Sequence, residues 1–481
     1  MASETSGNAK MDFKTFYNVI DGKLEPTVKT RHTINPSTLE ANPEAPLSTS
    51  DEVDKAVKIA HEAAKEWAAV PWDERKNALA NFAAALEAQL EDFAQMLVWE
   101  HGKPILWARH ELATDIGFLK GFCELSLPEE TIEDAPDRKI VKSYVPLGVA
   151  VGIVPWNYPV HLAGAKLGPA LLTGNAFILK PSPFTPYSGL KLAELGMQFF
   201  PPGVLQALSG GDDLGPLLTT HPLVNMVSFT GSVPTGKAVM KSCSDTLKRV
   251  TLELGGNDAA IVCADVDPVV AATKIALFAF CNSGQICMSI KRVYVHESIY
   301  DQFLDALVKH VQALPFGVGE TAFIGPVANE LHFKRVQKII ADINDAKFAV
   351  AAGGAESVPG QKGYYLPPTI IDNPPESSAI VQEEQFGPVL PLLKWSDESD
   401  VVQRVNGTDS GLGASVWTRD DEQAVRVANQ LEAGSVWINT HAEIVASTPF
   451  AGHKQSGLGV EWGVDGLKSY CNTKAVYRRA F

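Results

Sequence analysis

The sequence predicts an α/β protein built on parallel sheets, with two α/β domains and a small β arm. Three observations predict it. From Gly148, short apolar runs alternate with helical stretches (GVAVGIV, a helix over His161 to Leu172, AFILK, another helix, VLQALS, NMVSF), as strands and covering helices of βαβ units do. After RVTLELGG the alternation starts again with DAAIV, a helix to Phe280, RVYVH and a helix over Tyr300 to Leu314. At 481 residues the chain also exceeds what one core accommodates, about 150 residues per domain being the usual scale.

Taken in order, residues 1–47 are polar and rich in Pro and Thr and read as an irregular or edge-strand entry. The first helix starts at a capping box, Thr49 with Glu52, and carries Val53, Ala56, Val57, Ala60, Ala63, Ala64 and Trp67 at helical spacing. A second helix is expected from about Asp73, with Leu79, Phe82, Leu86, Leu90, Phe93 and Leu97 on one face and Gly102 as its stop. A third runs from Pro104 to about Leu125. Between Pro128 and Val145 an acidic turn leads into KIVKSYV, a strand pair that reads as a surface hairpin or an oligomer contact. The second alternation continues through a helix around Phe333 to Ile343, KFAVAAGG, PPTII, ASVWT and GSVWINT. The division expected is 1–127 with 146–254 for the first domain and 255–447 for the second, joined at the flexible pair Gly255 and Gly256, with 128–145 and 466–481 forming the arm.

Composition narrows the function. Hydrophobic content of 45% against 20% charged residues fits an ordinary globular chain, and no segment approaches the roughly 18 apolar residues of a membrane span. Acidic residues outnumber basic ones 56 to 41, for a net charge of −15, with no basic block. That disfavours nucleic acid, whose phosphates need clustered Lys and Arg, and leaves a small molecule as the expected ligand. The opening MASETSGNAK has no secretory character and YRRAF is not a peroxisomal ending. Cysteines at 123, 243, 263, 281, 287 and 471 show no paired or metal-type spacing, so reduced thiols, no metal and a cytoplasmic location are expected.

The stretch Phe280 to Ser289, FCNSGQICMS, holds the candidate nucleophile, Cys287. A thiol attacks as thiolate, so its surroundings are expected to lower its pKa and leave it partly open. Cys281, a helical stretch earlier, reads as core. On its own a cysteine among apolar residues is more often inert packing, so the case rests on partners elsewhere.

Those partners are PWN at Pro155 to Asn157, KPS at Lys180 to Ser182, FTGSVPTG at Phe229 to Gly236, LELGG at Leu252 to Gly256, GQIC at Gly284 to Cys287, EEQFGPV at Glu383 to Val389 and PFAGHKQSG at Pro449 to Gly457. In that order the set resembles the NAD(P)-dependent aldehyde dehydrogenase superfamily, over nearly the whole chain. The resemblance implies a Rossmann-like cofactor domain over the first division, a catalytic domain over the second, and an oligomerisation arm. It implies that Cys287 attacks the aldehyde carbonyl, that the amide of Asn157 and the N–H of Cys287 hold the oxyanion, and that Glu253 activates the deacylating water, desolvation in its apolar run raising its pKa. Lys166 and Glu461 match the family's proton-relay positions, though a structural ion pair explains them equally well. For the cofactor it implies Val154, Pro155, Trp156 and Asn157, Lys180 and Ser182 toward the adenosine ribose, and Gly211, Phe229 and Leu254. Gly231 and Ser232 would present donors to the pyrophosphate at a helix N-terminus, with Glu384 on the nicotinamide ribose and Phe386 against its ring.

The pattern departs in two places. Many NAD-specific relatives carry a Glu three residues after the KPS lysine, where this chain has Pro183. A carboxylate there repels a 2′-phosphate; its absence, with no arginine nearby to compensate, leaves NAD as the expected cofactor and NADP possible. Family resemblance also places Tyr158, Leu162, Ala165, Ile286, Met288, Ile444 and Phe450 around the substrate tunnel, with Ala165 and Ile444 where relatives keep large rings. A wider tunnel and a bulky or branched, mostly apolar aldehyde are expected, with His441 and Glu443 as added polar selectivity. The alternatives are a coenzyme-A-acylating relative, which dispenses with the base, and a silent cofactor-binding protein. A homodimer or homotetramer is expected, with the ending SYCNTKAVYRRAF pairing with Ile140 to Val145 of a neighbour.

Overall fold

A computed structural model describes residues 11–479; the readings made on the first ten residues and on the ending YRRAF beyond Arg479 lie outside the described residues. Eight strands form the first sheet in the order Lys23–Glu25, Asn18–Ile20, Leu205–Ala207, Ala176–Lys180, Val149–Ile153, Met226–Thr230, Arg249–Glu253, Gly457–Leu458. Its centre is parallel, Val149–Ile153 lying between Ala176–Lys180 and Met226–Thr230, and these strands are buried at every position. Burial of both faces explains why they read as unbroken apolar runs instead of alternating ones. The second sheet has seven strands in the order Val350–Ala352, Thr369–Asp372, Val389–Trp395, Arg292–His296, Ala259–Val262, Gly413–Trp417, Ser435–Ile438. None of the helices is long and apolar enough to cross a membrane.

The first helix, Ser50–Ala69, has the reciprocal Thr49–Glu52 capping box. The single helix expected from Asp73 to Gly102 is instead two, Trp72–Ala88 and Leu90–His101. At Gln89 the N–H turns back to Leu86 O at 3.1 Å in a tighter turn. Apolar spacing continues across this break, so periodicity cannot register it. Gly102 does stop the second helix, in the left-handed region at φ 85°.

The helix Ile105–Cys123 lies close against Pro159–Leu172, the helix that follows the first central strand. Two glycines permit the approach: a Cβ on Gly164 would lie 1.9 Å from Asp115 Oδ1, and one on Gly168 would lie 2.7 Å from the Phe122 ring. Arg75 is buried between the helix ends and donates to Leu172 O at 3.0 Å and Val70 O at 2.7 Å. This holds the C-terminal end of the same helix.

The arm is a three-stranded sheet, Cys471–Arg479, Arg138–Pro146, Glu130–Ala135. The expected pairing of the C-terminal strand with a neighbour is corrected: it pairs with its own chain along its whole length, Cys471 opposite Pro146 through Arg479 opposite Arg138. Leu147 N donates to Tyr470 O at 3.2 Å, where Arg138–Pro146 ends and Cys471–Arg479 begins, one step beyond the ladder. Among the described residues the outer edge of Cys471–Arg479 is unpaired. At Gly255 and Gly256, read above as a flexible pair, the backbone passes close to other groups. A Cβ on Gly255 would lie 2.2 Å from Glu384 Oε2 and one on Gly256 2.5 Å from Cys287 O, so close approach is what requires glycine there.

Candidate active site

The carboxyl ends of the first sheet converge on one region, where ligands of parallel sheets bind. Val149–Ile153 runs into Val154, Pro155, Trp156 and Asn157; Met226–Thr230 into Gly231 and Ser232; Arg249–Glu253 ends on Glu253 itself. Facing them is the cysteine loop. After the helix Pro268–Phe280 the chain reverses through three consecutive left-handed residues, Asn282 (φ 48°), Ser283 (φ 58°) and Gly284 (φ 72°). Two of these are strained for side-chain-bearing residues, and hydrogen bonds hold them. Ser283 Oγ donates to Gly325 O at 2.8 Å, Gln285 Nε2 to Asn282 O at 3.0 Å, and Ala328 N to Gln285 Oε1 at 2.9 Å. Cys287 is thereby fixed against the first domain.

Asn157 is buried and does not bond its own turn. Its Nδ2 donates to Gln285 O at 3.1 Å, while its carbonyl accepts from Lys103 Nζ at 2.9 Å and Asn282 Nδ2 at 3.3 Å. Its amide therefore faces the cysteine loop. Asn157, Glu253 and Cys287 line two cavities in common, one of about 180 Å³ and one of about 480 Å³. The reacting groups stand where the two meet.

Burial dominates the electrostatics. It pushes the Glu253 carboxyl up to about 7, with Glu461 adding repulsion, and neither Glu253 oxygen has a hydrogen-bond partner. The expectation of a lowered thiol pKa is corrected: burial and then the Glu253 charge hold Cys287 well above its ordinary value, opposed only by Lys291. The Lys291 ammonium is occupied, donating to Ile286 O at 2.7 Å and Cys287 O at 2.6 Å. Of the other cysteines, Cys281 is not wholly core as expected. It lines the larger cavity, donates weakly to Phe278 O at 3.9 Å, and is pushed up to about 12 by burial. Cys243 ends the helix Val233–Cys243 inside the core against the first sheet, at about 11 through burial. Lys166 and Glu461 form a buried ion pair, and both bond Ser228 Oγ, at 3.0 and 2.9 Å. Glu461 also lines the larger cavity, with Oε2 unpartnered.

The smaller cavity is lined by Pro155, Trp156, Gly231, Ser232, Leu254, Glu384 and Phe386 with the reacting groups. Ser232 caps the helix Val233–Cys243, and the first turn of such a helix leaves amide donors over. Gly231 is not one of these donors, contrary to expectation: its N–H is spent on Glu253 O at 3.1 Å, and its missing Cβ leaves room for the Phe229 ring, 2.5 Å away. Glu384 accepts from Gly256 N at 3.2 Å and faces Lys291 Nζ at 3.4 Å. Phe386, at φ 53°, meets Trp156 edge-on at 5.5 Å. Two residues not singled out in the sequence hold this loop. His332 donates to Phe386 O at 2.6 Å and Arg335 to Glu384 O at 2.7 Å, both from the helix Glu330–Asp345. In sequence they look like ordinary polar helix positions. Val154, Lys180, Ser182 and Phe229 are buried, and Gly211 lies on the loop after Leu205–Ala207. A glycine-lined cleft at a helix N-terminus, with a carboxylate and aromatic rings at its inner end, fits a nicotinamide dinucleotide.

Near Lys180 the sequence reading needs correcting. Arg31, 152 residues before Pro183, donates from Nη2 to the Pro183 carbonyl, so an arginine does stand beside the residue that replaces the Glu. Separation in sequence concealed it.

The larger cavity holds the tunnel residues Tyr158, Leu162, Ile286, Met288, Ile444 and Phe450, together with Trp107, His161, Phe278 and Trp462. Ala165 is not among them; it is buried in the helix core. Ala165 therefore does not widen the cavity, whose wall includes aromatic rings from other elements. Glu443 lines this cavity, whereas His441 is fully buried and bonds Met288 O at 2.9 Å behind the cysteine loop.

Residues 24–476 match the model of the aldehyde dehydrogenase family. The aldehyde dehydrogenase LUC3 of a Fusarium species is 42% identical over 467 residues, covering 97% of this chain and 99% of its own. Among solved structures, an Escherichia coli NADP dependent enzyme superposes with a TM-score of 0.94 at 33% identity over 97% of this chain and 99% of that one. An NAD+ complex of an aldehyde dehydrogenase from Bacillus cereus does so with 0.94 at 32% identity over 96% of each. Coverage is end to end, and the arm is included. The chain is a member of the aldehyde dehydrogenase family, an NAD(P)-dependent oxidoreductase of its branch that does not acylate coenzyme A.

Proposed function

We propose that the chain oxidises a bulky, mostly apolar aldehyde to its carboxylic acid through a covalent intermediate on Cys287. The observation that carries this is the meeting of two cavities at Cys287, Asn157 and Glu253, one apolar and one glycine-lined. Glu253, held near 7 by burial, is the nearest base for the Cys287 thiol, whose own high pKa requires one. The thiolate sulfur adds to the carbonyl carbon, and the oxyanion of the thiohemiacetal is held by Asn157 Nδ2 and the Cys287 N–H. Bound NAD(P)+ supplies the hydride acceptor that turns this adduct into a thioester. Trp156, Glu384 and Phe386 would hold its nicotinamide end, and Lys180 and Ser182 its adenosine end. Once the thiol proton has passed from Glu253 to solvent, the regenerated carboxylate takes a proton from water as it attacks the thioester carbonyl and returns that proton to the departing Cys287 sulfur, releasing the acid and the thiol.

The substrate class follows from the larger cavity. At about 480 Å³, with Trp107, Phe278, Phe450 and Trp462 in its wall and, among the described residues, no Lys or Arg, it suits a ring or branched chain and offers no fixed cation to an anionic aldehyde. An aldehyde panel read by reduced-cofactor absorbance, with NAD and with NADP, tests it. Aromatic and branched aldehydes should exceed acetaldehyde in kcat/KM by tenfold or more, and the reverse order would overturn the assignment. Cys287→Ala should abolish turnover.

A further inference from the structure

We infer that Arg31 is the residue that accepts the 2′-phosphate of NADP, so that this chain binds NADP in preference to NAD. The inference rests on the nucleotide-binding reading above and deepens it. Arg31 lies on the strand Thr30–Ile34, outside the first sheet, and crosses to the loop that follows Lys180. There its Nη2 is bonded to the carbonyl of Pro183, the residue standing where a Glu would exclude a phosphate. A proline side chain offers neither charge nor hydrogen bond, so the position neither repels a phosphate nor holds the ribose hydroxyls.

The guanidinium is held but under-used. Pro183 O is its only hydrogen-bond acceptor among the described residues, its Nε is buried with no partner, and it forms no ion pair. A planar fork of donors suits two oxygens of one phosphate, which carries about two negative charges. Lys180 is close enough to feel the Arg31 charge, burial and then Arg31 bringing the lysine down to about 8. An anion between them relieves that repulsion. Two groups oppose it on the loop after Leu205–Ala207: Asp212, near both cations, and Asp213, near Lys180. They do not pair with Arg31, and they place acidic charge within reach of any phosphate bound there.

The test is equilibrium binding to the whole chain, with 5′-AMP and 2′,5′-ADP as probes, by titration calorimetry. Neither probe reacts, so the result is independent of turnover. The wild-type chain should bind 2′,5′-ADP at least tenfold more tightly than 5′-AMP. Arg31→Gln should remove that preference while leaving 5′-AMP within twofold, and Arg31→Lys should restore part of it. Pro183→Glu, which leaves Arg31 in place, should lower 2′,5′-ADP affinity at least tenfold and raise that of 5′-AMP. Equal affinities in the wild type, or equal loss of both probes in Arg31→Gln with Pro183→Glu indifferent, overturn the inference and leave the dehydrogenase reading intact. Failure of both probes to bind the wild type at millimolar concentration overturns both.

Discussion

Lys103 Nζ donates to the carbonyl oxygen of Asn157 at 2.9 Å, and the carboxylate paired with that ammonium, Glu111, accepts from Val160 N at 2.8 Å and His161 N at 3.2 Å. One buried ion pair therefore grips both the residue expected to hold the oxyanion and the start of the helix behind it. Neither partner is exposed. Breaking such a pair from one side leaves a buried charge alone, which costs about 3–5 kcal/mol, whereas replacing both partners with apolar groups is often neutral. Lys103→Met is expected to lower both thermal stability and kcat. The double variant Lys103→Met with Glu111→Leu is expected to recover most of the stability but not kcat, because the Asn157 loop stays unheld. Recovery of both in the double variant would assign the pair a purely structural role.

Glu253 gives turnover its pH dependence. With its carboxyl at about 7, the base form is lost as pH falls through that value, so kcat should rise with pH up to about 7 and then level. Glu253→Gln should remove the limb and slow both the first turnover that forms reduced cofactor and the steady-state rate, because the variant lacks the base for the thiol and for water. Stability runs the other way. The folded pKa lies above the ordinary 4.5, so the folded chain binds this proton more tightly than the unfolded one. The contribution of Glu253 to stability is full below about 4.5 and is lost as pH rises through about 7. Denaturant unfolding of wild type and Glu253→Gln at pH 5 and pH 8 measures it: the variant should gain on the wild type at the higher pH.

Close packing of the two helices beside the site makes a sharper stability prediction. A Cβ on Gly164 would lie 1.9 Å from Asp115 Oδ1 and 2.5 Å from its Cγ, and Asp115 is fully buried. Gly164→Ala therefore forces the helices apart. Overpacking of this kind costs about 1–3 kcal/mol, and the shift reaches Asn157 through the same helix. A lowered midpoint in thermal unfolding with reduced kcat is expected, while Gly117→Ala, with open space at its Cβ, should be close to neutral.

These contacts also show what could be read from the sequence and what could not. Both parallel sheets, the Thr49–Glu52 capping box and the convergence of Asn157, Glu253 and Cys287 were legible, because each leaves a local pattern: an apolar run, a capping signature, a motif after a strand. The break at Gln89 was not, since apolar spacing continues through it. Lys103, Glu111, His332 and Arg335 were not, because a polar residue on a helix looks the same whether it faces water or a buried carbonyl; only tertiary packing distinguishes the two. Arg31 was hidden by distance along the chain. The direction of the Cys287 shift was misjudged for a related reason: flanking residues do not reveal that the neighbouring charge is a carboxylate and that the neighbouring ammonium, Lys291, is already engaged with carbonyls.

The arm makes the last prediction. Cys471–Arg479 completes a sheet with Arg138–Pro146 inside its own chain, leaving its other edge open among the described residues. Val476 and Tyr477 on that strand are 38% and 70% exposed. An open, partly apolar edge is a template for another strand, and a closed pair of such arms removes both edges at once. Sedimentation should therefore give a mass of two or four times 51.8 kDa. Changing Val476 and Tyr477 together to Lys adds charge to the edge without removing the intrachain strand, and should shift the mass toward one chain. If that shift occurs with kcat retained, the arm acts in assembly alone; a monomeric wild type would remove the basis for assembly through this edge.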